Sequence, residues 1–275
     1  MSIRLRGGRP PVLKRFGQHF LRDERILGEI ADALAPVPGE TVIEIGPGRG
    51  SLTDILAVRE NRLVAVEIDR ALSEQLRKRY SSNPRVTIVE ADVLETDLGK
   101  LADGPFVVAG NVPYYITTPI IFHVLRAPYP RHMVFLVQLE VAERIVAKPS
   151  SRTYGALSVN VQAVATAQII RHVPPGAFSP PPKVTSAVVR ITPRSDPIID
   201  VADAARFRGF VQGLFSMRRK QIGNVLRSVS VIGTDEIANV LDELGIDSRA
   251  RPETLSPEMQ VALMRAVKSP PPDQL

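Results

Sequence analysis

The sequence predicts an α/β fold: a mostly parallel sheet of seven strands with an antiparallel end pair, followed by a small all-helical domain. Three observations carry this. Short apolar, β-branched runs alternate with helical stretches between residues 41 and 147, the order of a parallel sheet covered by helices on both faces. Two strand-like runs then follow without a helix between them, which suits an antiparallel pair finishing the sheet. After Pro193, in the stretch PRSDP, the strand pattern stops.

Taken in order, the chain opens on a basic arm, residues 1–22. Arg4, Arg6, Arg9, Lys14, Arg15 and Arg22 all precede the first acid, Asp23, and account for the whole net charge of +6. An acid-free arm with Gly7, Gly8, Pro10 and Pro11 is suited to contacting phosphates. Asp23 then caps a helix with Ile26, Leu27, Ile30 and Leu34 on one face, stopped by Pro36, Pro38 and Gly39. Strands are expected at Thr41–Ile45, Leu63–Ile68, Val86–Glu90, Phe106–Ala109 and Met133–Val137, with helices near 51–58, 70–80, 117–126 and 139–147. A helix from Ala156 to Val164 leads to the last strands, Gln168–Val173 and Val184–Ile191, joined by GAFSPPPK. Helices near 203–217, 218–229, 234–244 and 256–267 complete the chain. The domains are therefore placed at 23–195 and 196–275.

Composition excludes several chemistries. Cysteine is absent, which removes disulfides, thiolate nucleophiles and cysteine-rich zinc sites together. His19, His123, His132 and His172 are scattered, so neither a metal site nor a histidine-driven triad is expected. No apolar run approaches the roughly 20 residues that span a bilayer, and the N-terminus has no apolar signal region. A soluble, cytoplasmic protein without membrane contact is the expectation.

The first strand runs into Glu44-Ile45-Gly46-Pro47-Gly48-Arg49-Gly50 and then a helix. Glycines at this turn allow close backbone approach, and open α/β sheets bind ligands at the carboxyl ends of their strands. The spacing is GxGxG, whereas a dinucleotide pyrophosphate loop has GxGxxG, so a nicotinamide dehydrogenase is disfavoured. Glu67 ends the second strand, 21 residues beyond Gly46, where a carboxylate accepts from both ribose hydroxyls. Asp92 follows the third strand, placed to accept from an adenine amino group. Gly46, Gly48, Glu67 and Asp92 thus form a nucleoside site without a phosphate-binding basic residue, and a sulfonium nucleoside fits it better than a dinucleotide.

The fourth strand ends in Asn111-Val112-Pro113-Tyr114. An exocyclic adenine amine is a poor nucleophile because its lone pair is delocalised into the ring. Asn111 supplies a side-chain carbonyl acceptor, the Val112 backbone carbonyl a second, and Pro113 constrains the turn. With both N–H bonds held, the lone pair faces the sulfonium methyl, and the cationic product sheds its proton without a strong base. Tyr114 is placed to stack on an extruded base. Phe178 is the candidate for its opposite face, and Lys183 for a phosphate contact.

With these residues assembled, the chain resembles the ribosomal small-subunit adenine dimethyltransferases, the KsgA-type enzymes related to eukaryotic Dim-type proteins. The resemblance runs through Phe16–Leu21, Glu44–Gly50, Glu67, Asp92, Asn111–Tyr114, Tyr154–Gln162, Phe178–Ser186 and Ser216–Lys220. It implies a class I, Rossmann-like methyltransferase fold and S-adenosyl-L-methionine as donor. It also implies dimethylation of two adjacent adenosines near the 3′ end of 16S rRNA in the small (30S) ribosomal subunit or its precursor, and a monomer. By position, cofactor contacts would fall on His19, Leu21, Gly46, Glu67, Asp92 and Asn111. His19 stands where Asn is common in the family, and Val112 where Leu or Ile is frequent. Arg218, Arg219 and Lys220, with Arg227 two turns on, would dock RNA phosphates. Two other readings stay open: a 23S rRNA adenine methyltransferase of the resistance type, and a non-catalytic ribosome-assembly or transcription factor.

Overall fold

The computed structural model describes residues 19–217 and 219–267. The basic residues Arg4 to Arg15, the Phe16–Gln18 part of the first motif and Arg218 lie outside the described residues.

A two-residue strand, β1 (Phe20–Leu21), precedes helix α1 (Glu24–Leu34). The Asp23 carboxylate caps α1 by accepting from the Arg25 N–H, which satisfies one of the donors a helix start leaves free. Ile26, Leu27, Ile30, Ala31 and Leu34 form its buried face. Alternation follows through β2 (Thr41–Ile45), α2 (Ser51–Ala57), β3 (Arg62–Glu67), α3 (Arg70–Arg79), β4 (Val86–Glu90), α4 (Leu98–Ala102), β5 (Phe106–Asn111), α5 (Thr117–Val124) and β6 (Met133–Gln138). Next come α6 (Leu139–Val146), α7 (Ala156–Gln162), β7 (Ala165–Val173), β8 (Phe178–Ser179) and β9 (Ser186–Pro193). Four helices end the chain: α8 (Ala204–Ser216), α9 (Ile222–Val229), α10 (Thr234–Glu243) and α11 (Pro257–Ala266).

Seven strands form one sheet in the order β4-β3-β2-β5-β6-β9-β7. β2 pairs in parallel with β3 on one side and β5 on the other, and β4 and β6 extend the parallel run. β9 enters between β6 and β7, so the antiparallel pair ends the sheet as expected. Every residue of β2 is buried, Thr41 and Glu44 included, as expected of a central parallel strand covered on both faces. The chain leaves β2 toward β3 and β4, then returns to its other side at β5. That reversal between neighbours opens a crevice at the carboxyl ends of β2 and β5.

The described residues form two compact units, residues 19–124 with 130–138 and 170–188, and residues 125–129 with 139–169, 189–217 and 219–267. This interleaved division differs from a single cut at residue 195. The cause lies in β7 and β9, each long enough to contribute one end to either unit. The first unit has its own core, in which Leu27, Ile30, Leu56, Val107, Val134 and Val188 meet. The second is built around Tyr154, Phe207, Phe210, Leu214, Leu226 and Met264, with the Tyr154 hydroxyl donating to the Leu255 carbonyl at 2.9 Å.

Three details depart from the sequence-based expectations. The arm was extended to residue 22, but residues 20–21 are paired: β1 runs antiparallel to β8, with Leu21 opposite Phe178, and the Arg22 N–H donates to the Ala177 carbonyl. α4 was not anticipated. α9 begins at Ile222 rather than near 218, because Arg219 and Lys220 sit in a turn closed by the Lys220 N–H on the Met217 carbonyl.

Candidate active site

The crevice at the β2–β5 reversal is a cavity of about 300 Å³. Ten sequence-predicted residues line it: His19, Leu21, Gly46, Gly48, Glu67, Asp92, Asn111, Val112, Pro113 and Tyr114. They come from five separate segments, and the carboxyl ends of β2, β3, β4 and β5 supply four of them.

The glycine turn leaves β2 with positive φ at Gly46, Gly48 and Gly50. At Gly48 nothing larger fits: a Cβ there would lie 2.8 Å from the Phe20 ring. The Gly48 N–H donates to Glu67 Oε2 at 2.9 Å, and the Asp69 N–H to Oε1 at 2.9 Å. These bonds fix the Glu67 carboxylate, while each oxygen keeps a second lone pair for a ligand hydroxyl. Burial pushes the Glu67 carboxyl up, against the two N–H donors and with the Asp69 charge. Asp92 uses Oδ1 to accept from the Leu94 N–H at 2.9 Å, which aims its carboxylate across the end of β4.

At the end of β5, the Asn111 side-chain NH₂ donates to the His19 backbone carbonyl at 2.9 Å. That bond uses the donor end of the amide and leaves Oδ1 as an acceptor. His19 donates from Nδ1 to the Pro180 carbonyl at 2.9 Å, because a carbonyl only accepts; in the neutral ring Nε2 is then an acceptor. Its ring stacks on Tyr114 with centroids 5.9 Å apart and 25° between planes. The Tyr114 hydroxyl lies 2.6 Å from the Ser186 Oγ, and burial raises its pKa, so the phenol stays neutral.

The predicted RNA contacts fall differently. Lys183, Arg219 and Lys220 are exposed, Lys183 in the loop before β9 and the other two in the turn after α8. Phe178 does not line the cavity. It is 4% exposed and packed in the first unit's core, although its strand partner Leu21 is a lining residue. The expectation that its ring faces the base opposite Tyr114 is therefore corrected for this conformation: an apolar ring next to Val173 and Val188 gains more from burial than from an open cavity.

Two residues were missed. Ser186, wholly buried, holds Tyr114; its position in a strand pattern gave no signal beyond membership of the Phe178–Ser186 motif. Glu44 lines the cavity, is 1% exposed, and has no hydrogen-bond partner for Oε2 among the described residues. Its carboxyl is pushed up to about 8, first by burial and then by the Glu67 and Asp54 charges, with the Thr53 hydroxyl opposing. A charged residue inside a buried strand was the available clue.

The donor set fits S-adenosylmethionine: a positive-φ glycine turn that a Cβ would fill, two oriented carboxylates at successive strand ends and no Lys or Arg among the described residues that line the cavity. A parallel sheet in this order, with that site at its reversal, defines a class I methyltransferase. Solved structures agree: the 23S rRNA methyltransferase ErmE superposes with a TM-score of 0.70 at 28% identity, covering 91% of this chain and 100% of that one. A dimethyladenosine transferase from Plasmodium falciparum gives a TM-score of 0.78 at 24% identity, covering 90% and 96%, and supports the fold. Residues 12–266 match the ribosomal RNA adenine dimethylase family, and the chain belongs to it. Similar proteins include the ribosomal RNA small subunit methyltransferase A of Aromatoleum aromaticum, 45% identical over 94% of this chain and 95% of its own. That of Idiomarina loihiensis is 43% identical over 88% and 83%.

Proposed function

We propose that this protein dimethylates the N6 amino groups of two adjacent adenosines near the 3′ end of 16S rRNA, acting on the small ribosomal subunit or its precursor. The observation that carries this reading is the fixed Asn111 amide: with its NH₂ spent on His19, Oδ1 has only an incoming donor to serve. The bound cofactor supplies an electrophilic methyl group. Glu67 holds the ribose hydroxyls, Asp92 the adenine amino group, and His19, Leu21, Gly46 and Gly48 enclose the rest. Asn111 Oδ1 and the Val112 carbonyl would accept the two N–H bonds of the unmethylated target amine, drawing its lone pair out of conjugation, and in the second round one of them would hold the single N–H that remains. Pro113 stiffens the turn, and Tyr114 stacks on the base with its hydroxyl tethered to Ser186. The proton is shed to water, since an N-alkylated aminium is strongly acidic.

Docking is assigned to the basic residues Arg4 to Arg15 of the arm and to the helical part 196–275, through Arg218, Arg219 and Lys220, with Lys183 near the catalytic loops. Among the described residues no helix is long and apolar enough to cross a membrane. The reading places the enzyme in the cytoplasm as a monomer. The small-subunit substrate is favoured by the names and identities of the relatives. A Phe178 stacking role requires its ring to leave the core when RNA binds.

Transfer of labelled methyl from S-adenosylmethionine to undermethylated small subunits tests the proposal, with large subunits and Asn111→Ala as controls. N6,N6-dimethyladenosine in small-subunit RNA, lost in the variant, is expected. Label confined to large subunits would overturn the substrate assignment, and cofactor binding without transfer would overturn the activity.

A further inference from the structure

Among the described residues Tyr115 is the one exposed aromatic side chain, at 61% exposure, and it lines the mouth of the cavity. Among the described residues no hydrogen bond or ring contact holds its side chain, whereas the other aromatic of the same turn, Tyr114, is tied to Ser186 and stacked on His19. Both belong to a short 3₁₀ turn, Tyr114–Ile116. Successive side chains on such a turn diverge by about 120°, so the two rings serve different faces and cannot clasp one base. An unpaired aromatic ring in water forgoes its burial energy, and the place where this one sits is where an RNA strand must pass.

We propose that Tyr115 is a substrate-positioning residue: a stacking platform for the unpaired base next to the target adenine on the same strand. This rests on the reading of the site as an adenine methyltransferase acting on RNA. Extruding one base into a cavity unstacks its neighbour, and an aromatic face at the rim replaces the lost stacking partner without reading sequence. The chemistry required of the occupant is only a planar nucleobase joined by one phosphodiester to the base in the cavity. For a substrate with two adjacent adenines that neighbour is the second adenine, so Tyr115 would hold the base awaiting transfer.

The experiment compares Tyr115→Ala, Tyr115→Phe and the wild type in steady-state methylation of undermethylated small subunits, and measures S-adenosylmethionine affinity for each by calorimetry. Stacking of this kind is worth about tenfold in affinity, so Tyr115→Ala is expected to raise KM for the subunit about tenfold. Cofactor affinity should be unchanged, and Tyr115→Phe should restore KM because the ring, not the hydroxyl, does the work. Unchanged KM in Tyr115→Ala overturns the proposal. So does a Tyr115→Phe defect equal to that of Ala, which would assign the contact to the hydroxyl. Weakened cofactor binding in Tyr115→Ala also overturns it, by showing a structural role. Failure of the wild type to methylate small subunits is a different result and overturns the proposed function instead.

Discussion

At the scale of single residues, the cavity is governed by how polar groups are tied down. Ser186 and Tyr114 share one short hydrogen bond, and a neutral bond of this kind is worth about 0.5–1.5 kcal/mol. Ser186→Ala is therefore expected to lower kcat/KM about three- to tenfold, and Tyr114→Phe to do the same through the same lost bond. The double variant should be no worse than either single one in a double-mutant cycle of initial rates; additive losses would mean the two act separately. Glu44 makes a prediction of another kind. Its carboxyl titrates near 8 in the folded protein against an ordinary 4.5. Between these values the unfolded chain sheds a proton that the folded chain keeps, so rising pH favours unfolding. The stabilising contribution is full below 4.5 and is lost as pH rises through 8. Glu44→Gln cannot ionise and removes that slope. Thermal unfolding of the ligand-free proteins should show the variant gaining on the wild type at pH 8 relative to pH 5, by about 2–4 °C per kcal/mol recovered. An unchanged difference across that range sinks the idea.

At the scale of elements, what was legible in the sequence depended on repetition. β2, β3 and β5 announce themselves because buried parallel strands carry mostly apolar, β-branched runs, and α1 because five buried residues share one face behind an Asp cap. β1 and β8 have two residues each, too few for any period, and their pairing spans the chain from Leu21 to Phe178. This pairing seats His19 and Leu21 over the cavity. No local pattern encodes it, so the arm was extended four residues too far and Phe178 was aimed at the base. The glycine turn was legible as chemistry, yet the contact that makes Gly48 irreplaceable comes from β1. Gly48→Ala places a Cβ 2.8 Å from the Phe20 ring at a φ of +58, and strain of this type costs about 1–3 kcal/mol. Its expected signature is S-adenosylmethionine binding weakened about five- to 150-fold with far-ultraviolet circular dichroism retained. Wild-type affinity would show that β1 yields without cost.

At the scale of the whole chain, charge and chemistry are segregated in sequence. Apart from His19 and Leu21, the sequence-predicted site residues come from strand ends and turns between residues 46 and 114, and no Lys or Arg is among the described residues that line the cavity. The net charge of +6 is carried by the first 22 residues, with Arg219 and Lys220 exposed in a turn of the helical part. An enzyme that recognises one extruded base needs its orienting contacts elsewhere, on phosphates that carry no sequence information. Each such contact releases counterions, and the logarithm of affinity falls with the logarithm of salt in proportion to the number of phosphates neutralised. If Arg219 and Lys220 each neutralise one, the Arg219→Ala, Lys220→Ala double variant should bind small subunits more weakly at low salt. It should also show a slope shallower by about 1.4–1.8, with S-adenosylmethionine affinity unchanged. An identical slope would remove both residues from the RNA interface and leave docking to the arm, for which removal of residues 1–15 is then the deciding measurement.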